Sequence, residues 1–299
     1  MLAGIEGAPP LVLVTGKGGV GKTLVSCALA HFAARAGARV LLLELDARES
    51  MHRFLGAEPS GGEVVAVTER LAAQSLRPRR VVDDLIEERV RPAWVARRVL
   101  ASTIYEQFVQ GAPGLREVAA LGHARRASRA GTPDSEYDLV VLDAPATGHG
   151  VALLEAPNLL AEAVGGGPLA ELAREVASMV VDPAQCGLWA VTTAEGMAVR
   201  ETLELDAALN RRLGRGLDRM LLNRVLPPTR ETGDEPPWLA SWLRRAEEQA
   251  RQEAALEAAW RGPLARLPLV AGDGVEALDL LSVALAEALG PAPGAGSEG

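Results

Sequence analysis

Gly16-Lys17-Gly18-Gly19-Val20-Gly21-Lys22-Thr23 is the stretch on which the reading of this 299-residue chain turns. Its spacing is that of a phosphate loop: a glycine, four residues, then Gly-Lys-Thr. Glycines at this density let backbone N–H groups converge on phosphate oxygens, and a helix starting near Lys22 adds its positive end at the same point. In such a loop Lys22 reaches the β- and γ-phosphates and Thr23 places its hydroxyl on Mg²⁺. The cradle expected here is Gly16, Lys17, Gly18, Gly19, Val20, Gly21, Lys22 and Thr23, around a nucleoside triphosphate.

Composition points to the same place. Lysine and arginine total 31, yet only Lys17 and Lys22 are lysine. A compact ammonium fits among phosphate oxygens in a tight glycine cage, where a planar guanidinium fork does not. Lys22 already serves the bound phosphates. Lys17, nearer the start of the loop, has two readings: an exposed loop lysine, or a cation directed away from its own nucleotide.

The flanks have the rhythm of alternating strands and helices. Residues 11–15 form an apolar run, residues 23–36 an Ala/Leu-rich helix stopped near Gly37, and residues 40–45 a second apolar run ended by Asp46. Strand, loop, helix and strand in this order make a βαβ unit. Continuous rather than alternating hydrophobicity predicts parallel strands covered on both faces. Further buried strands are expected at 139–142, 188–191, 220–222 and 267–270, and helices at 196–213, 237–260 and 275–289. The fold class expected is α/β, a P-loop NTPase with a mostly parallel central sheet flanked by helices. Residues 1–289 read as one domain. Helical insertions at about 77–135 and 151–182 form a lobe on one side of the sheet. The Pro/Gly/Ser-rich tail, 290–299, reads as disordered.

Residues 17–23, Lys-Gly-Gly-Val-Gly-Lys-Thr, resemble the deviant phosphate loop of the signature-lysine NTPases. That group includes the Min/Par positioning ATPases, the nitrogenase iron proteins and the arsenical pump ATPases. The resemblance implies that Lys17 reaches across a dimer to the partner's ATP. Asp143-Ala144-Pro145-Ala146-Thr147-Gly148-His149 resembles the Asp-Thr-Ala-Pro-Thr-Gly-His segment of the arsenical-pump and tail-anchored-protein-targeting branch, with a local departure at 144–146. It implies a Mg²⁺-linked carboxylate at Asp143, with Thr23 as its companion, and a switch loop after it. Asp46 matches an aspartate that orients the attacking water, although the residues after it depart from the family's Pro-Ala-His; Glu44 and Glu49 are nearby alternatives. Glu195 matches a position near the nucleotide, and Asn223 the asparagine that reads adenine. Pro268 and Leu269 lie in a segment similar to the loop that closes over the base. The resemblance covers residues 11–289.

What it implies is a Mg²⁺-dependent ATPase working as a dimeric switch, as a homodimer or beside a paralogue, that binds a protein client or membrane partner in one nucleotide state. Departures limit the picture. The stretch 227–237 has no cysteine where the targeting ATPases carry a zinc clasp, and five methionines do not make a Met-rich client groove. Trp238 with Trp242 suit core packing better than a client surface. Two cysteines, Cys27 and Cys186, far apart in the chain, argue against metalloid binding, because a soft ion wants clustered thiolates. They also fit a reducing cytoplasm.

The net charge of −8 argues against nucleic acid as a partner. Residues 1–10 lack the pattern of a signal peptide, and no apolar run approaches the roughly 18 residues of a membrane span. Two rival readings remain. A Min/Par-like surface-positioning ATPase would need a basic patch or membrane-targeting helix. A weakly hydrolysing regulatory subunit of a paralogous pair would fit the altered residues after Asp46.

Overall fold

The structure, a computed structural model, describes residues 8–45, 49–112, 114–129, 134–145, 150–227 and 237–289. Among them the strands are β1 (Leu11–Gly16), β2 (Val40–Glu44), β3 (Val65–Ala66), β4 (Leu71–Ser75), β5 (Leu139–Asp143), β6 (Cys186–Thr193), β7 (Arg219–Val225) and β8 (Leu264–Pro268). They form one sheet in the order β3-β4-β2-β5-β1-β6-β7-β8. Every pairing is parallel except β3 against β4.

Side chains along each strand alternate between two apolar cores. Leu11, Leu13, Leu41 and Leu43 enter one; Val12, Val14, Val40 and Leu42 enter the other. A period of two with both faces apolar produces the unbroken hydrophobic runs of the sequence. One core is closed chiefly by α1 (Lys22–Arg35), α2 (Met51–Leu55) and α11 (Gly274–Leu289). The other is closed by helices from the remaining set: α3 (Pro78–Arg89), α4 (Ala93–Leu100), α5 (Thr103–Gly111), α6 (Leu115–Ala127), α7 (Gly150–Val164), α8 (Pro168–Val181), α9 (Gly196–Leu213) and α10 (Pro237–Ala259). Buried residues of α6, α7 and α8 share this core with Leu11 and Leu13 of β1. These helices are part of the sheet's covering. With few aromatics, the cores rest on Leu, Val and Ala; each fully buried Leu or Val contributes about 1.5–3 kcal/mol.

Two local differences from the sequence reading stand out. The pair β3–β4 and the short α2 had no counterpart in it, because Leu71-Ala72-Ala73-Gln74-Ser75 lacks the β-branched run of a strand and is held by its neighbour β2. The last strand lies at Leu264–Pro268, earlier than 267–270, because β8 pairs from Met220↔Leu264 onward. No described helix is long and apolar enough to cross a membrane.

The topology fixes where a ligand belongs. From β1 the chain crosses to β2 on one side, and from β5 it crosses to β6 on the other. The loop after β1 therefore sits at the carboxyl ends of the strands where the direction of winding reverses, the crevice in which open α/β sheets bind ligands.

Candidate nucleotide site

β1 ends where only glycine fits. Gly16 has φ 144°, and a Cβ there would lie 2.1 Å from the carbonyl oxygen of Val191, its partner in β6. Gly21, with φ 92°, turns the chain into α1, and a Cβ on it would strike the Asn223 amide at 2.6 Å. The helix that follows has no acidic residue in its first turn and no side-chain cap. No acidic side chain of the helix itself therefore offsets its amino-terminal N–H groups, which suits an anion cradle.

Lys22 spans the loop from within: its Nζ donates to the Lys17 carbonyl at 3.1 Å. The Lys17 side chain leaves in a different direction, with Nζ 3.0 Å from Glu201 Oε1 on α9. The two lysines of the chain thus have separate neighbourhoods, one inside the loop and one outside it.

Beside the loop, Thr23 Oγ1 donates to Asp143 Oδ2 at 2.7 Å and Ser26 Oγ donates to Asp143 Oδ1 at 3.0 Å. Asp143 is buried, and burial pushes its carboxyl up to about 6; the Thr23 and Ser26 hydroxyls and the Lys22 ammonium pull the other way, and Glu44 adds to the rise. Glu44 pairs with Asp143 across β2 and β5, so two buried carboxylates end adjacent strands. Glu44 is already engaged: Ser50 donates through N at 2.9 Å and through Oγ at 2.5 Å, and Ser75 Oγ at 3.0 Å. Glu49 is engaged as well, by Gly61 N and an Arg77 ion pair, both at 3.2 Å. These two acids anchor the far end of the segment that begins at Leu45, whose N–H donates to the Asp143 carbonyl at 3.1 Å. Asp46 itself lies outside the described residues, as do Thr147, Gly148 and His149.

The base-side candidates fall on the opposite flank. Asn223, buried at the end of β7, donates through Nδ2 to the Val20 carbonyl at 2.8 Å. Leu269, exposed just after β8, donates its N–H to the Val225 carbonyl at 2.9 Å, and Pro268 ends β8 beside it. Glu195 occupies the N-cap position of α9 without a side-chain cap hydrogen bond, its exposed carboxylate 3.9 Å from Arg245. The fold thus brings Gly16, Lys17, Val20, Gly21, Lys22, Thr23, Asp143 and Asn223 into one neighbourhood, with Glu195, Pro268 and Leu269 on its rim. Sequence reasoning missed two residues here: Ser26, whose place one turn after Thr23 was the available signal, and Glu201.

The two thiols are set apart. Cys27 belongs to the core on one face of the sheet and Cys186 to the core on the other, and both are buried. Burial pushes Cys27 well up, and Cys186 up to about 12, so neither is a ready thiolate. Among the described residues no group of three or more His, Cys, Asp or Glu side chains could hold a metal ion.

Comparison with known proteins places this arrangement. A family model described as anion-transporting ATPase matches residues 10–166, just over half the chain. ATPase BagA of Mycobacterium tuberculosis is 28% identical over 241 residues, covering 75% of this chain and 67% of the relative. An arsenical pump-driving ATPase of Escherichia coli is 27% identical over 280 residues, covering 84% of this chain but 45% of the relative. ATPase ASNA1 homolog 1 of Paramecium tetraurelia is 26% identical over 153 residues, 50% of this chain and 44% of that one. The chain thus spans about two thirds of the mycobacterial relative and under half of the other two. A match of this extent, on a mostly parallel sheet whose first strand leads into a glycine-rich loop, makes the chain a member of the anion-transporting ATPase family and an ATP hydrolase.

Proposed function

We propose that this ATPase is the subunit of a nucleotide-driven dimeric switch. Lys22 and the backbone from Gly16 to Gly21 hold the phosphates of ATP. The Thr23 hydroxyl and the Asp143 carboxylate, hard oxygen donors 2.7 Å apart, suit Mg²⁺, which takes one or two protein oxygens and leaves the rest to phosphate and water. Bound there, the ion supplies neutralisation of charge on the β- and γ-oxygens. Asp46, two residues past β2, accepts a hydrogen bond from the attacking water and orients it. Asn223, Glu195, Pro268 and Leu269 hold the base and ribose.

One observation carries the dimer. Lys17 is a partly exposed ammonium that points out of its own loop to Glu201, while Lys22 occupies the interior. A cation so placed serves a second nucleotide better than its own. In the closed dimer each Lys17 leaves Glu201 and neutralises the phosphates bound to the partner subunit, so that ATP favours closure and hydrolysis releases it. The output is a protein client or membrane partner held in one state only. One relative's name, arsenical pump-driving ATPase, describes an ATPase coupled to a pump; here the buried and separated thiols favour a partner protein over a metalloid as the thing sensed.

The test is sedimentation with a non-hydrolysable ATP analogue and Mg²⁺. Wild type is expected to dimerise, and Lys17→Ala to bind the analogue yet remain monomeric. Equal dimerisation of both, or a monomeric wild type saturated with analogue, removes the cross-subunit role.

A further inference from the structure

β7 does not end as a regular strand. Its pairing with β8 runs evenly to Leu222↔Arg266 and resumes at Val225↔Pro268. β7 therefore advances three residues while β8 advances two, which is a β-bulge at Asn223-Arg224. Arg224 sits at φ 60°, in the left-handed region that non-glycine side chains enter at a cost. Gln249 of α10, a buried side chain, holds the strained turn at both ends: its Nε2 donates to the Arg224 carbonyl at 3.2 Å, and its Oε1 accepts from Leu226 N–H at 3.0 Å.

Consecutive residues of a regular strand point to opposite faces. The bulge instead brings both side chains to one glycine. From the point a Cβ on Gly21 would occupy, Asn223 Nδ2 is 2.6 Å away and Arg224 Nη2 is 3.9 Å away. Arg224 is exposed, and among the described residues no carboxylate forms an ion pair with it. A guanidinium brought beside a phosphate loop by a locked, strained backbone has the geometry of a phosphate ligand, since the planar fork suits paired phosphate oxygens.

We propose that Arg224 is a second cation of the nucleotide site, binding the phosphate chain from outside the loop at Gly21 while Lys22 binds from inside. This rests on the loop being a nucleotide site, and the test separates the two ideas. ADP and inorganic pyrophosphate binding are measured by titration calorimetry, and the melting temperature is measured without ligand. The proteins are wild type, Arg224→Gly, Arg224→Lys and Lys22→Ala. Arg224→Gly removes the guanidinium and also relieves the left-handed strain. Its expected result is about tenfold weaker binding of both ligands, with a melting temperature unchanged or raised. Arg224→Lys, which keeps charge but not the fork, is expected to fall between. Unchanged affinity in Arg224→Gly alongside a loss in Lys22→Ala overturns the role of Arg224 and leaves the site standing. Weaker ADP with unchanged pyrophosphate marks a contact to base or ribose and overturns the phosphate assignment. Lost affinity accompanied by a lowered melting temperature marks a structural arginine and overturns it as well. Failure of wild type to bind ADP overturns the nucleotide site itself.

Discussion

Lys17 Nζ lies 3.0 Å from Glu201 Oε1, so the first lysine of the loop is tied to α9 of its own chain. The side chains are 26% and 36% exposed, and water screens the pair. Such a pair is weak enough to be broken by a better partner.

Glu201→Gln removes the competing anion without removing the lysine. The expected outcome is that ATP-analogue-driven dimerisation tightens about two- to fivefold, the equivalent of one exposed ion pair. ADP affinity should not change. Sedimentation equilibrium reads both protomer states. Weaker dimerisation would place Glu201 in the interface itself and defeat the idea of a competing tether.

Asp143 carries a buried charge, and its pH dependence has a definite sign. Its carboxyl is near 6 when folded and near 3.8 when unfolded, because burial outweighs the Thr23 and Ser26 hydrogen bonds. Between those values the folded state binds more protons, so this group's contribution to stability is full below about pH 4 and is lost as pH rises through 6. The loss is about 3 kcal/mol. In chelator and without nucleotide, Asp143→Asn should be more stable than wild type above pH 6, with the gap closing toward pH 4. The same variant should bind Mg²⁺-nucleotide more weakly. Denaturant unfolding across pH checks the first; an equal gap at both ends of the range would contradict the assignment.

His123 on α6 titrates in the opposite sense. Burial, then the Arg126 charge, lowers it to about 4, with Asp84 opposing, while its Nε2 lies 3.0 Å from Gln74 Oε1. The unfolded chain binds the proton first, so stability is full above about pH 6.5 and is lost as pH falls toward 4, by up to about 3 kcal/mol. This slope opposes that of Asp143 and partly hides it in wild type. His123→Gln should therefore expose a decline in stability from pH 4 to 6 that wild type lacks. A curve parallel to wild type across that window would be the contrary result.

Gly16→Ala tests the loop's anchor. The added methyl group would meet the Val191 carbonyl at 2.1 Å at a backbone φ of 144°. Separating β1 from β6 at that point should cost about 3 kcal/mol or more in unfolding free energy. Gly19→Ala is the control, since a Cβ there meets nothing within 4 Å, although φ 90° still strains it. Similar losses in both variants would mean that strain, and not the β6 contact, dominates.

The legible parts of the sequence were the local ones. The glycine loop, the helix after it and the apolar strands were readable because each depends on neighbours a few residues away. Helix starts and breaks followed the same rule: the sequence reading placed a helix at 196–213, and the structure has α9 at Gly196–Leu213. β4 was hidden because Ala72, Ala73 and Gln74 carry no strand preference of their own; they are extended only because β2 lies beside them. Arg224 was hidden because a bulge is a mismatch between two strands, and one strand's sequence does not contain it.

The sequence by itself determined a glycine-rich loop with phosphate-loop spacing at 16–23 between a buried strand and a helix, since glycine conformations and a helix start are set within a few residues of chain. The tertiary structure alone decided which distant groups face that loop. Asp143 reaches Thr23 across 120 positions of sequence, Asn223 reaches Val20 across 203, and Glu201 meets Lys17. Those meetings follow from the order of strands in the sheet, which depends on how the two cores pack, and no local pattern of residues encodes it.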